Sequence, residues 1–171
     1  MAIEIEMIDD GRLSEIASRL GKGEMGRTIT QAARRAALAA RMAGTKQVQS
    51  VYTIKSSDLK SHISINSLSD GAVIDFRGGS EKVEKYKAKA NQRGVFVTIK
   101  RGNTTKVPRG FSLRGQFVAR VGRERLPLKS LYGPSVPQLY GNPEVLEIME
   151  ERGNEVFETR LEHEIERRLN G

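Results

Sequence analysis

The chain contains no cysteine, only two histidines and few aromatic residues, 5% of the total. The first absence excludes disulfides and thiolate chemistry and leaves the redox compartment open. The second leaves His62 and His163, far apart in sequence, with too few companions for a structural or catalytic zinc site. No apolar run is long enough to cross a membrane. The opening, MAIEIEMIDDGR, has neither a basic n-region nor an apolar h-region, so neither a signal peptide nor a membrane partner is expected. Proline is scarce but concentrated, with four of the five in RLPLKSLYGPSVPQLYGNP, residues 125–143.

What is present is charge, unevenly distributed. The 171 residues carry a net +8. From Glu144 to Gly171, nine acidic and four basic residues give −5, whereas residues 1–143, with 25 basic and 12 acidic, carry +13. Arg77 to Arg125 is the extreme, 14 basic against 3 acidic residues, or +11. Three readings stay open at this point: a polyanion partner, oppositely charged faces that meet when copies assemble, or a solvated basic surface.

Motifs for chemistry nearly appear, and each fails on a physical requirement. Gly21, Gly23 and Gly26 spell a dinucleotide fingerprint, but a predicted helix precedes them where a strand is needed. At His163, HEIER has Arg167 in place of the second metal-binding histidine. Ser112 in GFSLRG and Ser135 in GPSVP miss the nucleophile-elbow pattern, and Ser57 with Lys60 matches Ser-x-x-Lys without its companion motifs. RGVFVTI and RGFSL lack the interleaved aromatics on which RNA bases stack. No enzyme activity and no cofactor is expected; any basic surface would contact phosphates rather than read bases.

The element pattern predicts an α+β fold, with an antiparallel sheet of four to five strands, an N-terminal Ala/Arg-rich helix, a long C-terminal helix, and the Pro-rich arm between sheet and last helix. IEIEMID reads as an edge strand and GRLSEIASRL as a short helix capped at Gly21. A helix capped by Thr28 is predicted to run towards Val51, its buried stripe being Ile29, Ala33, Ala36, Ala40, Ala43, Gln47 and Val51, with a bend at Gly44. Arg27, Arg34 and Arg41 share one ridge on it, read either as a solvated face or as a surface for a polyanion. Ser56 or Ser57 is expected to cap a single turn. HISINSL, GAVIDFRGG, GVFVTIKRGN and GQFVARVG read as strands, and SEKVEKYKAKANQRG as an exposed loop or short basic helix. Asn142 and Pro143 signal the start of the last helix, whose seam is Leu146, Met149, Val156, Leu161, Ile165 and Leu169, with a kink at Gly153. The expected organisation is one α+β domain, 1–141, including the arm 125–141, followed by an acidic amphipathic helix, 142–171.

In the arm, each residue before a proline is pushed towards extended geometry, so the segment is pre-ordered. Its Leu128, Leu131, Tyr132, Val136, Leu139 and Tyr140 need a cover, which either the same chain or a neighbouring copy supplies.

RLPLKSLYGPSVPQL resembles the most recognisable block of the minor tail protein Z family of long-tailed bacteriophages and prophages. The order upstream is similar too: AARRAALAARMA, then VYTIKSSDLKSHISI, AVIDFRG, GVFVTIKRG and GQFVARVG, the resemblance covering about Arg27 to Tyr140. It implies a virion structural protein that completes the tail at its head-proximal end, assembled in the host bacterial cytoplasm. By implication its partners are itself, in a ring for which a hexamer is one size, other tail and head–tail connector proteins, and DNA passing through the channel. The subunit-interface residues would be Leu128, Leu131, Tyr132, Gly133, Pro134, Val136, Pro137, Leu139 and Tyr140. Arg27, Arg34, Arg41, Lys82, Lys85, Lys87, Lys89 and Arg93 are the candidates for facing DNA. The competing expectation is a cellular nucleic-acid-binding protein without sequence preference.

Overall fold

In the computed structural model, which describes residues 2–4, 22–69 and 71–170, the alanine-rich segment forms one uninterrupted helix, α1 (Lys22–Val51). It starts ahead of Thr28, so Thr28 is not its cap. The threonine is fully buried instead, and its hydroxyl donates to the Glu24 carbonyl one turn back, at 2.9 Å. That internal acceptor allows a polar residue on the buried face. The face is Met25, Thr28, Ala32, Ala33, Ala36, Ala37, Ala40, Gly44 and Val48. It is offset from the expected stripe: Ala33, Ala36 and Ala40 are shared, while Ile29, Ala43, Gln47 and Val51 flank it, half-buried. Gly44 lies within the helix and does not break it.

The chain divides into two compact units, and the division passes through α1 after Gly44. The first unit comprises residues 1–44, 63–76 and 141–171. Its sheet places β3 (Ala72–Phe76) between β1 (Ala2–Glu4) and β2 (Ile63–Ser67), antiparallel to both. Ala72, Ile74 and Phe76 alternate into the core, as a strand with one buried face requires. The rest of IEIEMID and the predicted helix GRLSEIASRL lie outside the described residues. The last helix, α4 (Pro143–Asn170), begins where expected, with Asn142 Oδ1 accepting from the Glu144 amide at 3.2 Å. It runs through Gly153, which is buried, without interruption. Val145, Met149, Phe157, Leu161 and Ile165 are its buried apolar residues, while Leu169 is exposed. Arg168 of α4 pairs with Glu24 of α1 at 2.7 Å. The acidic helix therefore belongs with the start of the chain rather than forming an appendage after residue 141.

The second unit comprises residues 45–62 and 77–140. It holds the end of α1, the short helix α2 (Ser56–Lys60), and eight strands: β4 (Ser80–Lys82), β5 (Lys87–Asn91), β6 (Gly94–Thr98), β7 (Thr105–Val107), β8 (Gly110–Leu113), β9 (Gln116–Arg120), β10 (Leu128–Ser130) and β11 (Tyr132–Ser135). The N-cap of α2 is Lys55, with no side-chain cap bond; Ser56 and Ser57 fall inside the helix. The segment expected as a loop or basic helix is β4, one 3-10 turn (Val83–Lys85) and β5, with Glu81, Val83 and Tyr86 buried.

The fold is α+β, with the two long helices as expected. Its strands are spread over several small antiparallel sheets rather than one meander: β1-β3-β2, β5-β6-β7, β8-β9-β10 and β4-β11. The reason is local. Strands of three to five residues are closed by tight turns, such as Arg114–Gly115 with φ of 49° and 80°, the left-handed pair that suits a two-residue hairpin. Between β7 and β8, Pro108 and the left-handed Arg109 (φ 55°) turn the chain out of the first sheet. A Cβ on the next residue, Gly110, would lie 3.1 Å from Val95 Cβ, so the second sheet begins at a close approach that favours glycine.

Candidate interaction surfaces

The arm folds as a strap held within its own unit. Leu128, Lys129 and Ser130 pair with Arg120, Ala119 and Val118 of β9. Leu131 then bridges two elements: its amide donates to Phe117 O and its carbonyl accepts from the Val83 amide, both at 3.1 Å. Tyr132 and Ser135 pair with Lys82 and Ser80 of β4. The buried Tyr86 donates its hydroxyl to Pro134 O at 2.7 Å. Burial first, then the charge of Glu81 and the neighbouring Tyr52, pushes that phenol well above its ordinary range. Gly133 lies against the same ring.

The strap ends in helix α3 (Val136–Tyr140) rather than in the extended geometry expected before Pro137. Pro137 sits in its first turn, where the missing N–H costs nothing. Ser135 and Gln138 cap each other: the Ser135 amide donates to Gln138 Oε1 at 2.9 Å, and the Gln138 amide to Ser135 Oγ at 3.4 Å. This is a capping box of the Ser-x-x-Gln kind, a local signal that the sequence itself carries. The Tyr140 hydroxyl is 2.7 Å from Thr45 Oγ1.

These contacts correct the expected interface. Val136, Leu139 and Tyr140 have essentially no accessible surface within the single chain, so a neighbouring copy has nothing to touch there. Leu128, Leu131, Gly133, Pro134 and Pro137 are half-buried, and Tyr132 is 56% exposed. Leu126, just before β10, is 67% exposed.

A buried acid beside the strap was also unforeseen. Glu81 accepts from His62 Nε2 at 2.8 Å and from Lys85 Nζ at 2.6 Å. This holds Lys85 in an ion pair, with its side chain 35% exposed. Gly78 makes room for the clamp: its φ is +127°, and a Cβ there would fall 2.6 Å from His62 Nδ1.

The remaining candidate cations separate into two groups, one in each unit. Arg27 and Arg34 are exposed on α1, and Arg41 is half-buried. Lys82, Lys87, Lys89 and Arg93 are exposed in the second unit. There the register builds a defined surface. Lys89 faces Phe96 and Phe96 faces Lys106, a row across β5, β6 and β7. Lys87 faces Thr98 in the next row, and the Thr98 and Thr104 hydroxyls are 2.7 Å apart. The opposite face carries Val95 and Val97, packed with Val83, Ala88 and Val107. From Lys85 to Arg123 the sequence has 11 basic residues and no Asp or Glu, so no acid on these strands neutralises the lysines.

Helix α4 carries the opposite sign. Glu144, Glu147, Glu151, Glu155, Glu158, Glu162 and Glu166 follow one another at steps of three or four residues and are all exposed. They form a straight ridge on the face away from Met149, Gly153 and Phe157. Glu155 pairs with Arg152. Like charges at i,i+4 each cost about 0.2–0.5 kcal/mol, so the ridge is kept against helix stability. Among the described residues, no group of three or more His, Asp or Glu is placed to hold a metal ion, and no helix is long and apolar enough to cross a membrane.

No family model, curated protein or solved structure matches the chain.

Proposed function

We propose that the protein is a structural component of a bacteriophage tail, a minor tail or tail-completion protein that acts as a homo-oligomeric ring at the head-proximal end. The observation that carries this reading is the strap. The residues that bear the family resemblance build an element fixed from within by Tyr86 and the Ser135–Gln138 box, which holds Tyr132 outward. A pre-ordered segment with an exposed aromatic suits assembly, because little entropy remains to be lost on docking. The separation of charge between the basic strands and the acidic last helix supplies complementary surfaces for copies of one chain. The role is architectural, and no reaction is assigned.

The test is genetic and structural. Tyr132→Ala is expected to leave the melting temperature of the purified protein unchanged and to lower the yield of joined, infectious particles. Particles lacking the chain are expected to show heads and tails unjoined in electron micrographs. Normal particles in its absence, or its absence from mature particles by mass spectrometry, would overturn the reading.

A second reading, a nucleic-acid-binding protein without sequence preference, is favoured by the acid-free run from Lys85 to Arg123. It requires the monomer to bind duplex or single strands with an affinity that falls steeply with salt.

A further inference from the structure

We infer that the lysine face of β5–β6–β7 in one copy docks on the glutamate ridge of α4 in the next, a head-to-tail contact between two different surfaces of the same chain. The inference rests on the homo-oligomer of the reading above and on nothing about where that oligomer sits. Both surfaces are exposed; the strands contain no acid, and one of the seven ridge glutamates, Glu155, pairs with Arg152.

The spacings agree. Lys89 and Lys106 are separated by two strand spacings, about 10 Å, close to the about 10.5 Å between glutamates at i and i+7. A helix laid along the Lys89–Phe96–Lys106 row therefore meets a carboxylate at both lysines. Phe96, half-buried between them, gives the contact an apolar centre for the methylene stems. The ridge from Glu144 to Glu166 extends about 33 Å, longer than the lysine row, so one face engages about two turns of it. Because the two surfaces differ, each copy has one of each to offer. Repetition of the contact closes a ring or extends a filament, according to the rotation between copies.

Sedimentation of the full chain and two charge-reversed variants tests this. One variant is Lys87→Glu/Lys89→Glu/Lys106→Glu; the other is Glu151→Lys/Glu158→Lys/Glu162→Lys. All six positions are exposed, and circular dichroism checks that both variants fold. The unaltered chain is expected to associate at low ionic strength and to dissociate at about 0.5 M salt, where screening is nearly complete beyond contact distance. Each variant alone is expected to associate at least about tenfold more weakly. An equimolar mixture of the two is expected to regain association, because each reversed surface then meets its complement. Variants that assemble like the unaltered chain overturn the docking and leave the ring standing. An unaltered chain that is monomeric at every concentration overturns both. A lysine variant that keeps its assembly but no longer binds duplex DNA shows a phosphate surface instead, and also overturns the docking.

Discussion

Gly133→Ala tests whether the strap is clamped by Tyr86. Gly133 is not among the glycines of positive φ, so a methyl there carries no backbone strain. On that ground alone the substitution would stabilise the protein by about 0.4–1 kcal/mol, through a less flexible unfolded chain. The methyl, however, would stand 2.8 Å from Tyr86 Cε2 and 3.2 Å from Cδ2. The ring is only 5% exposed and its hydroxyl is held by Pro134 O, so it cannot swing aside without losing that bond. Overpacking of this kind costs about 1–3 kcal/mol, and the hydrogen bond about 0.5–1.5 kcal/mol more if it breaks. The steric cost wins, leaving a net loss of about 1–3 kcal/mol. For a chain of this size that is a fall of about 2–12 °C in Tm. Urea and thermal unfolding, followed by circular dichroism, measure it. In a Tyr86→Leu background the same alanine is expected to be neutral or mildly stabilising, a coupling of about 1 kcal/mol or more. An unchanged stability in the Gly133→Ala protein, or an equal loss in both backgrounds, would refute the clamp.

Three further outcomes follow from the same unit. Tyr86 has a raised pKa in the fold, so its contribution is complete below its unfolded value, near 10, and is lost as pH rises beyond it. Stability measured between about pH 9 and 11 is therefore expected to fall more steeply for the unaltered protein than for Tyr86→Phe. Gly78→Ala combines a left-handed backbone with a clash on His62 and is expected to cost about 1–3 kcal/mol in urea unfolding; adding His62→Ala relieves only the steric part. Glu81→Gln leaves the Lys85 ammonium and the His62 ring N–H with a weaker acceptor. Because the Lys85 and His62 side chains are 35% and 24% exposed and can turn to water, the loss is expected to be about 1–3 kcal/mol by denaturant titration, below that for a fully buried pair.

The long helices were legible because their signals are local. Asn142–Pro143 fixes the start of α4 through backbone chemistry alone, and the alanine-rich run defines α1 from its own repeat. The strands centred on Ile65, Ile74, Phe96 and Val118 were equally visible from alternation, three of them also bounded by glycine. What failed depended on partners remote in sequence. Thr28 looked like a cap because nothing in the sequence shows that its hydroxyl turns back to Glu24. SEKVEKYKAKANQRG, residues 80–94, reads as an exposed loop or short basic helix, yet Glu81 is buried because His62 and Lys85 both reach it.

The same division applies to the candidate surfaces. The sequence by itself determined the sign and position of the charges, the presence of the two long helices and the start of the last one, because composition, proline geometry and helical period act over a few residues. Only the tertiary structure decided that Val136, Leu139 and Tyr140 face inward while Tyr132 faces out, that Lys85 is held in a clamp, and that Lys89, Phe96 and Lys106 form one row. Those facts depend on strand register and on contacts between residues distant along the chain, where a shift of one position turns every side chain to the other face.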